Sequence, residues 1–422
     1  MLWDFCAHSL EMLNRLILAR RGCYGLSASS TSLFSPTAEY KQFRSILRGF
    51  VEKEVEPQAS IYDAKEQMNV GLLKQLGQIG VHGVCVAEEF GGSEMNAVGT
   101  VIAMEELSYS DPGLCLSALA HSVLFVHNLS HNGSEEQKEK WLPPTVSGEL
   151  IGGMAMSEPH VGTDVLGMKS TAVLSPDKAH WVLNGQKMWI TNGAISDTEL
   201  GDVFLVYAKT PIGGISLFVV EKGTPGFSLG QKLKGKCGMR ASNTAELVFS
   251  DCKVPVSNLV GIEGKGTIPM MRNLEIERVA LAAMSLGIAK RCIDTMVKYS
   301  ADRMAFGKPI ASFGQIQRHI GESYSEFTAA RTYVYAVANE INLEQPGNRI
   351  DSDGVKLVAT TMAKNVADRA IQVLGGYGYL SDYVVERLWR DSKLLEIGGG
   401  TLEAHQKNIT MDLIRAIGGP KI

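Results

Sequence analysis

The chain has 422 residues, of which 45% are hydrophobic and 20% charged, with a formal net charge of −4. That is apolar material for two or three packed units, and the interspersed charge excludes a nucleic-acid binder that works through a basic stripe. Seven cysteines (6, 23, 85, 115, 237, 252 and 292) form no CxxC pair, which argues against zinc or redox sites and suits free thiols in a reducing interior.

In chain order, the first feature is a leader. Met12 to Ala38 contains no acidic residue; Arg15, Arg20 and Arg21 precede a Ser/Thr-rich run from Ser27 to Ser35. This predicts a mitochondrial transit peptide over residues 1–35 and a location in the matrix, although Asp4 and Glu11 upstream depart from the pattern. Leu2 to Leu18 is too interrupted by charge for a transmembrane segment. Ser35-Pro36 then predicts a helix start, serine as cap and proline at the first helical position.

Residues 36–150 read as a helical domain. Phe43, Ile46, Leu47 and Phe50, then Leu72, Leu73, Leu76 and Ile79, recur at three-to-four spacing. Glu89 to Gly92 and Asp111-Pro112-Gly113 read as loops. Residues 151–265 are β-rich, with strands expected at Trp181 to Leu183, Val203 to Tyr207, Ile215 to Val220 and Glu246 to Phe249. Turn pairs at Asn184-Gly185, Asn192-Gly193 and Pro225-Gly226 separate them, which predicts an antiparallel sheet or barrel. Residues 266–422 return to long helical periodicity, broken at Gly375-Gly376 and Gly398-Gly399-Gly400. The fold class is α+β: helices, then an antiparallel β-domain, then a helical bundle.

Two motifs compete for attention. Gly226-Phe227-Ser228-Leu229-Gly230 fits the GxSxG elbow of a serine hydrolase with Ser228 as nucleophile, but that elbow needs a strand-to-helix turn, and little in Gln231 to Lys234 signals a helix. His127 and His131, four apart without an intervening HExxH glutamate, read as surface residues and not metal ligands.

The strongest signals are Ala155 to Asp164 (AMSEPHVGTD) and Lys187 to Gly193 (KMWITNG). Small residues and hydroxyls let the backbone approach a planar or phosphorylated ligand, and an exposed tryptophan offers a stacking face. Farther on come Arg303 to Lys308 (RMAFGK) and Gln372 to Gly378 (QVLGGYG), the latter followed by Asp382, Arg387 and Asp391. Together and in this order these segments resemble the acyl-CoA dehydrogenase family, over nearly everything after the leader. The resemblance implies FAD as cofactor, contacted by Met156, Ser157, Gly162, Thr163, Trp189, Thr191, Arg303, Phe306, Gln372, Gly376, Thr401 and Glu403. It implies an acyl-CoA substrate, a homotetramer in which the RMAFGK and Gly-Gly segments complete a neighbour's site, and an electron-transferring flavoprotein as oxidant. Val161 replaces the family's usual small residue, and Phe313-Gly314 its usual Phe-Gln.

Desaturating an acyl thioester needs a base for the α-proton and donors to the developing enolate oxygen. Many family members carry the base in a Tyr-Glu-Gly-Thr loop; here that loop reads Gly398-Gly399-Gly400-Thr401. The family's alternative position for the base is a helix, which the resemblance places at Leu274-Glu275-Ile276-Glu277-Arg278. On a helix Glu277 falls in register with Leu274, Leu281, Met284 and Ile288, so it is the desolvated base; Glu275 faces outward or toward a polar ligand. The Glu-Arg pair is similar to the helix-borne base of the isovaleryl-CoA dehydrogenases. That likeness implies Thr163, Glu275, Arg278, Gly398 and Gly399 as substrate contacts and a short branched acyl group.

Overall fold

The computed structural model describes residues 32–345, 347 and 349–419, so the expected leader lies, up to position 31, outside the described residues. The first helix, α1 (Ala38–Phe50), is capped by Thr37, whose hydroxyl accepts from Tyr40 N, while Ser35 donates to the carbonyl of Phe34. The helix thus starts two residues later than Ser35-Pro36 predicts, because the side-chain oxygen that reaches a free backbone N–H belongs to Thr37.

There follow α2 (Glu56–Lys65), α3 (Val70–Gln78), α4 (Ala97–Ser110), α5 (Pro112–Leu119), α6 (Asn128–Asn132) and α7 (Glu135–Val146). Asp111-Pro112-Gly113, expected as a loop, is a helix junction: Asp111 accepts from Leu114 N at 3.0 Å and Pro112 takes the first turn. From α5 through a wide turn to α6, Pro112–Asn132 is long and apolar enough to cross a membrane by length and composition, yet 83% of its apolar window is buried inside the molecule. It is a core helix here, and the sequence reading had not singled it out.

The middle of the chain forms eight strands: β1 (Gly152–Ala155), β2 (Thr171–Leu174), β3 (His180–Thr191), β4 (Val203–Lys209), β5 (Ile215–Glu221), β6 (Phe227–Lys232), β7 (Thr244–Pro255) and β8 (Leu259–Val260). Their order is β6-β7-β3-β2-β4-β5-β8, with β1 added to β4. Most pairs are antiparallel as expected; β1 against β4 is parallel, and β2 meets β4 in parallel through one residue pair. Asn184-Gly185 is no turn. It sits inside β3 at a register irregularity against β7, where the Asn184 amide exchanges two hydrogen bonds with Asp251. Ser228 is an exposed residue of β6, which pairs with β7 and leads into no helix, so the hydrolase elbow is excluded.

Five helices complete the chain: α8 (Thr267–Asp302), α9 (Gly314–Glu340), α10 (Arg349–Leu374), α11 (Val384–Leu395) and α12 (Leu402–Ala416). α8, with 36 residues and therefore about 54 Å long, is the spine of the molecule. One side packs on α10 and the other on α4, burying Leu281, Met284 and Ile288 as the periodic stripe predicted. Arg44 of α1 and Arg331 of α9 both pair with the buried Glu105 of α4, which also accepts from Tyr335 at 2.5 Å.

The closest approach of α8 to α4 is at Gly287. A Cβ there would lie 2.7 Å from Tyr109 N and nearer still to Ser108 Oγ and the Glu105 carbonyl. Alanine in a helix interior is worth about 1 kcal/mol over glycine, whereas overpacking a core contact costs about 1–3 kcal/mol. Packing wins here, because two of the three atoms met are backbone. Gly287→Ala is expected to lower stability by up to about 2 kcal/mol net, measured by urea unfolding; a stabilised variant would show the crossing to be loose.

Candidate active site

Glu277 sits on the buried face of α8 with 7% of its surface exposed. Its Oε2 is buried and has no hydrogen-bond partner among the described residues. Burial drives its pKa up from the usual 4.5 to about 7, against the opposing pull of Arg278 and then Lys356. Opposite it runs the turn between α11 and α12. Gly399 there has φ +67°, and a Cβ on it would collide with Leu281 Cδ1 and lie 3.2 Å from Glu277 Oε1. A side chain at 399 is therefore excluded twice, by conformation and by contact with the carboxylate.

The neighbours of Glu277 in sequence diverge from it. Glu275 does not face outward: it is buried, and its Oε2 accepts from Gly347 N at 3.1 Å, because the connection between α9 and α10 passes over it. Arg278 is buried and paired with Asp353 of α10 at 3.1 Å; Asp353 also meets His405 Nδ1 of α12 at 2.5 Å. Gly398 lies in the turn, Thr401 caps α12 through Ala404 N, and Glu403 is exposed in the first turn of that helix.

The second cluster lies on the β-domain. Ser157 donates its hydroxyl to the Met188 carbonyl at 2.8 Å and accepts from Met188 N at 3.0 Å, which ties the segment after β1 to β3. Just beyond, a second register irregularity between Lys187 and Ile190 pushes Trp189 out of the ladder with φ +61° and half of its surface exposed. An exposed indole held in a rare backbone conformation is a stacking face kept open at a cost. Met156 and Thr191 flank it half-buried, while Gly162 and Thr163 are exposed, with open space where a Cβ of Gly162 would lie. Beneath runs an ion pair that the sequence reading missed: Lys187 Nζ to Glu158 Oε1 at 2.9 Å and to the Met156 carbonyl at 3.0 Å, both side chains fully buried.

The third cluster is an open groove of about 610 Å³ lined by Tyr299, Arg303, Gly375, Gly376 and Tyr377 among others. Arg303 lies over the Tyr377 ring at 5.6 Å, Phe306 is 95% exposed, and Gln372 and Gly376 face solvent. The groove is lined from the C-terminal helices and their connections, and none of its lining residues comes from the β-domain.

Sequence reasoning also missed Lys356, which donates to the carbonyls of Leu395 and Gly400, and Tyr207, whose hydroxyl is held by Asn128 near Glu277. A lysine amid the Ala359, Ala363 and Ala367 face of α10 was the available signal. His127 and His131 are not surface residues. His127 is buried against Asn273 Oδ1 at 3.1 Å and the two rings touch, because α6 and the turn before it are core.

The raised pKa of Glu277 has a stability consequence. Its neutral form is favoured in the fold, so its contribution is full below the ordinary carboxyl pKa and is lost as pH rises to about 7. Glu277→Gln, which never ionises, is expected to gain stability relative to the native chain between pH 5 and pH 8. Urea midpoints of both proteins at the two pH values check this; no change in their difference would contradict the desolvated carboxylate.

Comparison with known proteins gives a consistent result. Three family models match in succession: the N-terminal, middle and C-terminal domains of acyl-CoA dehydrogenase, at residues 37–149, 153–252 and 264–414. The chain is 42% identical over 395 residues to a mitochondrial isovaleryl-CoA dehydrogenase of Oryza sativa subsp. japonica, covering 92% of this chain and 94% of that one. It is 39% identical over 397 residues to a mitochondrial 2-methylacyl-CoA dehydrogenase of Solanum tuberosum, covering 92% and 93%. Among solved structures, butyryl-CoA dehydrogenase from Megasphaera elsdenii superposes with a TM-score of 0.85 at 34% identity, over 92% of this chain and all of that one.

Proposed function

The chain belongs to the acyl-CoA dehydrogenase family, whose cofactor is FAD, and from that premise we propose that it desaturates a short branched acyl-CoA, isovaleryl-CoA to 3-methylcrotonyl-CoA in leucine breakdown. The observation that carries the reading is Glu277: a carboxylate buried in α8, with one oxygen unpartnered among the described residues, facing the Gly398–Gly400 segment, which itself holds no carboxylate.

Glu277 takes the α-proton of the thioester. Its raised pKa makes it a stronger base than an exposed glutamate, and one still largely ionised just above neutrality. The Gly399 N–H donates to the thioester oxygen as negative charge develops there, and Arg278, Glu275 and Thr163 lie in the segments that bind the substrate. FAD, when bound, accepts the hydride from the β-carbon. The residues suit that cofactor: Met156, Ser157, Gly162, Thr163, Trp189 and Thr191 offer an open stacking face with donors beside it. Arg303, Phe306, Gln372 and Gly376, with Thr401 and Glu403, offer the groove and turn for its polar half, supplied by a neighbouring copy in a homotetramer. An exposed Phe306 beside Arg303 and Met304 supports such a neighbour. An electron-transferring flavoprotein is the oxidant, and the mitochondrial matrix the compartment, as the acid-poor leader suggests.

A short branched acyl group is favoured over a long chain by the likeness to the isovaleryl-CoA and 2-methylacyl-CoA dehydrogenases.

Glu277→Gln is expected to keep the yellow flavin and lose desaturation by ~10²–10⁴-fold; near-normal turnover would remove Glu277 as the base. In the native enzyme kcat/KM should rise as pH passes about 7, the pH at which Glu277 ionises, and level off above it. Isovaleryl-, 2-methylbutyryl-, isobutyryl-, butyryl- and palmitoyl-CoA, compared with an artificial electron acceptor, decide the substrate. A preference for palmitoyl-CoA overturns the short-chain reading, and a flavin that no acyl-CoA bleaches points to a binding protein.

A further inference from the structure

Lys356 lies behind the glycine turn, on α10, with none of its surface exposed. Its ammonium donates to the Gly400 carbonyl at 2.7 Å and the Leu395 carbonyl at 3.0 Å, so two of its three protons hold the two ends of the turn. A Cβ built on Gly399 would lie 3.6 Å from Lys356 Cε and 3.2 Å from Glu277 Oε1. Lysine, turn and carboxylate thus surround one point. Carbonyls alone do not compensate a buried ammonium as an anion does, and of the carboxylates that act on it, Glu277, Asp353 and Glu396, the strongest is Glu277.

We propose that Lys356 is a positioning residue for proton abstraction, which holds the Gly398–Gly400 turn against Glu277 and adds to Arg278 a second positive charge that helps this desolvated carboxylate ionise. The proposal rests on the reading of Glu277 as the base. The charged and titratable groups around Glu277 divide clearly. From α8 itself comes Arg278, the stronger influence, but its charge is already engaged by Asp353 of α10, which also holds His405 of α12. From β4 comes the neutral hydroxyl of Tyr207, and from α10 Lys356, with Glu396 of the turn acting on the lysine from farther off. Burial lowers the pKa of Lys356 to about 8, partly offset by Glu277, so it carries its charge over the range in which Glu277 titrates.

The test is the pH profile of kcat/KM of the holoenzyme for Lys356→Met, Lys356→Gln and Lys356→Arg, with flavin content read at 450 nm. The same variants are assayed for deuterium uptake from D₂O at the α-carbon of the acyl-CoA, which reads proton transfer alone. Removing a cation raises the pKa of a carboxylate. In the Met and Gln variants the acid limb of both profiles is therefore expected to move up by about one pH unit, a roughly tenfold loss at pH 6.5 that shrinks at pH 9, with full flavin content. Lys356→Arg, which keeps the charge, should restore the limb to its native position. A limb that stays in place in the neutral variants, whatever their plateau, overturns the proposal, as does a failure of both neutral variants to fold as holoenzymes, which would assign Lys356 to stability alone. Glu277→Gln separates the two readings: if it keeps its turnover, the base assignment fails irrespective of Lys356.

Discussion

A buried carboxylate that the fold leaves partly unsatisfied stands at the centre of this molecule. Buried polar groups are almost always hydrogen-bonded, and an unpaired one costs stability. Glu277 keeps Oε2 bare in the core of the longest helix, so the rest of the structure must overdetermine its position. α8 does so by packing on α4 through Gly287 and on α10 along its length. The ion pairs of Glu105 with Arg44 and Arg331 clamp α4 to its other neighbours, which fixes the surface α8 rests on.

Around it the charges are graded. Arg278, adjacent in sequence, is drawn off by Asp353 and His405; Lys356 spends its protons on the carbonyls of the glycine turn. Among the described residues neither donates a hydrogen bond to the carboxylate itself, yet both lie near enough to moderate the effect of its burial. The β-domain repeats the logic with a different device. The buried Lys187–Glu158 pair anchors the loop after β1, and an irregularity in β3 turns Trp189 outward above it. Rigid, fully paired groups stand beneath each exposed or unpaired one.

The sequence reading erred where tertiary packing altered a local signal. Asn184-Gly185 has the composition of a turn but is absorbed as a bulge, because Asp251 on the facing strand satisfies the asparagine amide. His127 and His131 carry polar side chains on a segment that is buried on all sides, and an apolar moment cannot identify such a face. Helical phase set Glu277 on the apolar stripe and Glu275 outward or toward a polar ligand; both are buried, Glu275 by a connection some seventy residues on, which phase alone does not reveal.

The sequence by itself determined the three-part order of helices, strands and helices, the stripe that buries Glu277, the absence of a carboxylate from the Gly398–Gly400 turn, and the motifs that carry the family resemblance. These are local properties: spacing, residue type and the backbone freedom of glycine. Only the tertiary structure decided that Gly399 stands against the Glu277 carboxylate, that Arg278 is engaged by Asp353, and that Lys356 closes the turn from behind. Those depend on which helices meet, and residues 277, 356 and 399 come together through the packing of three separate elements.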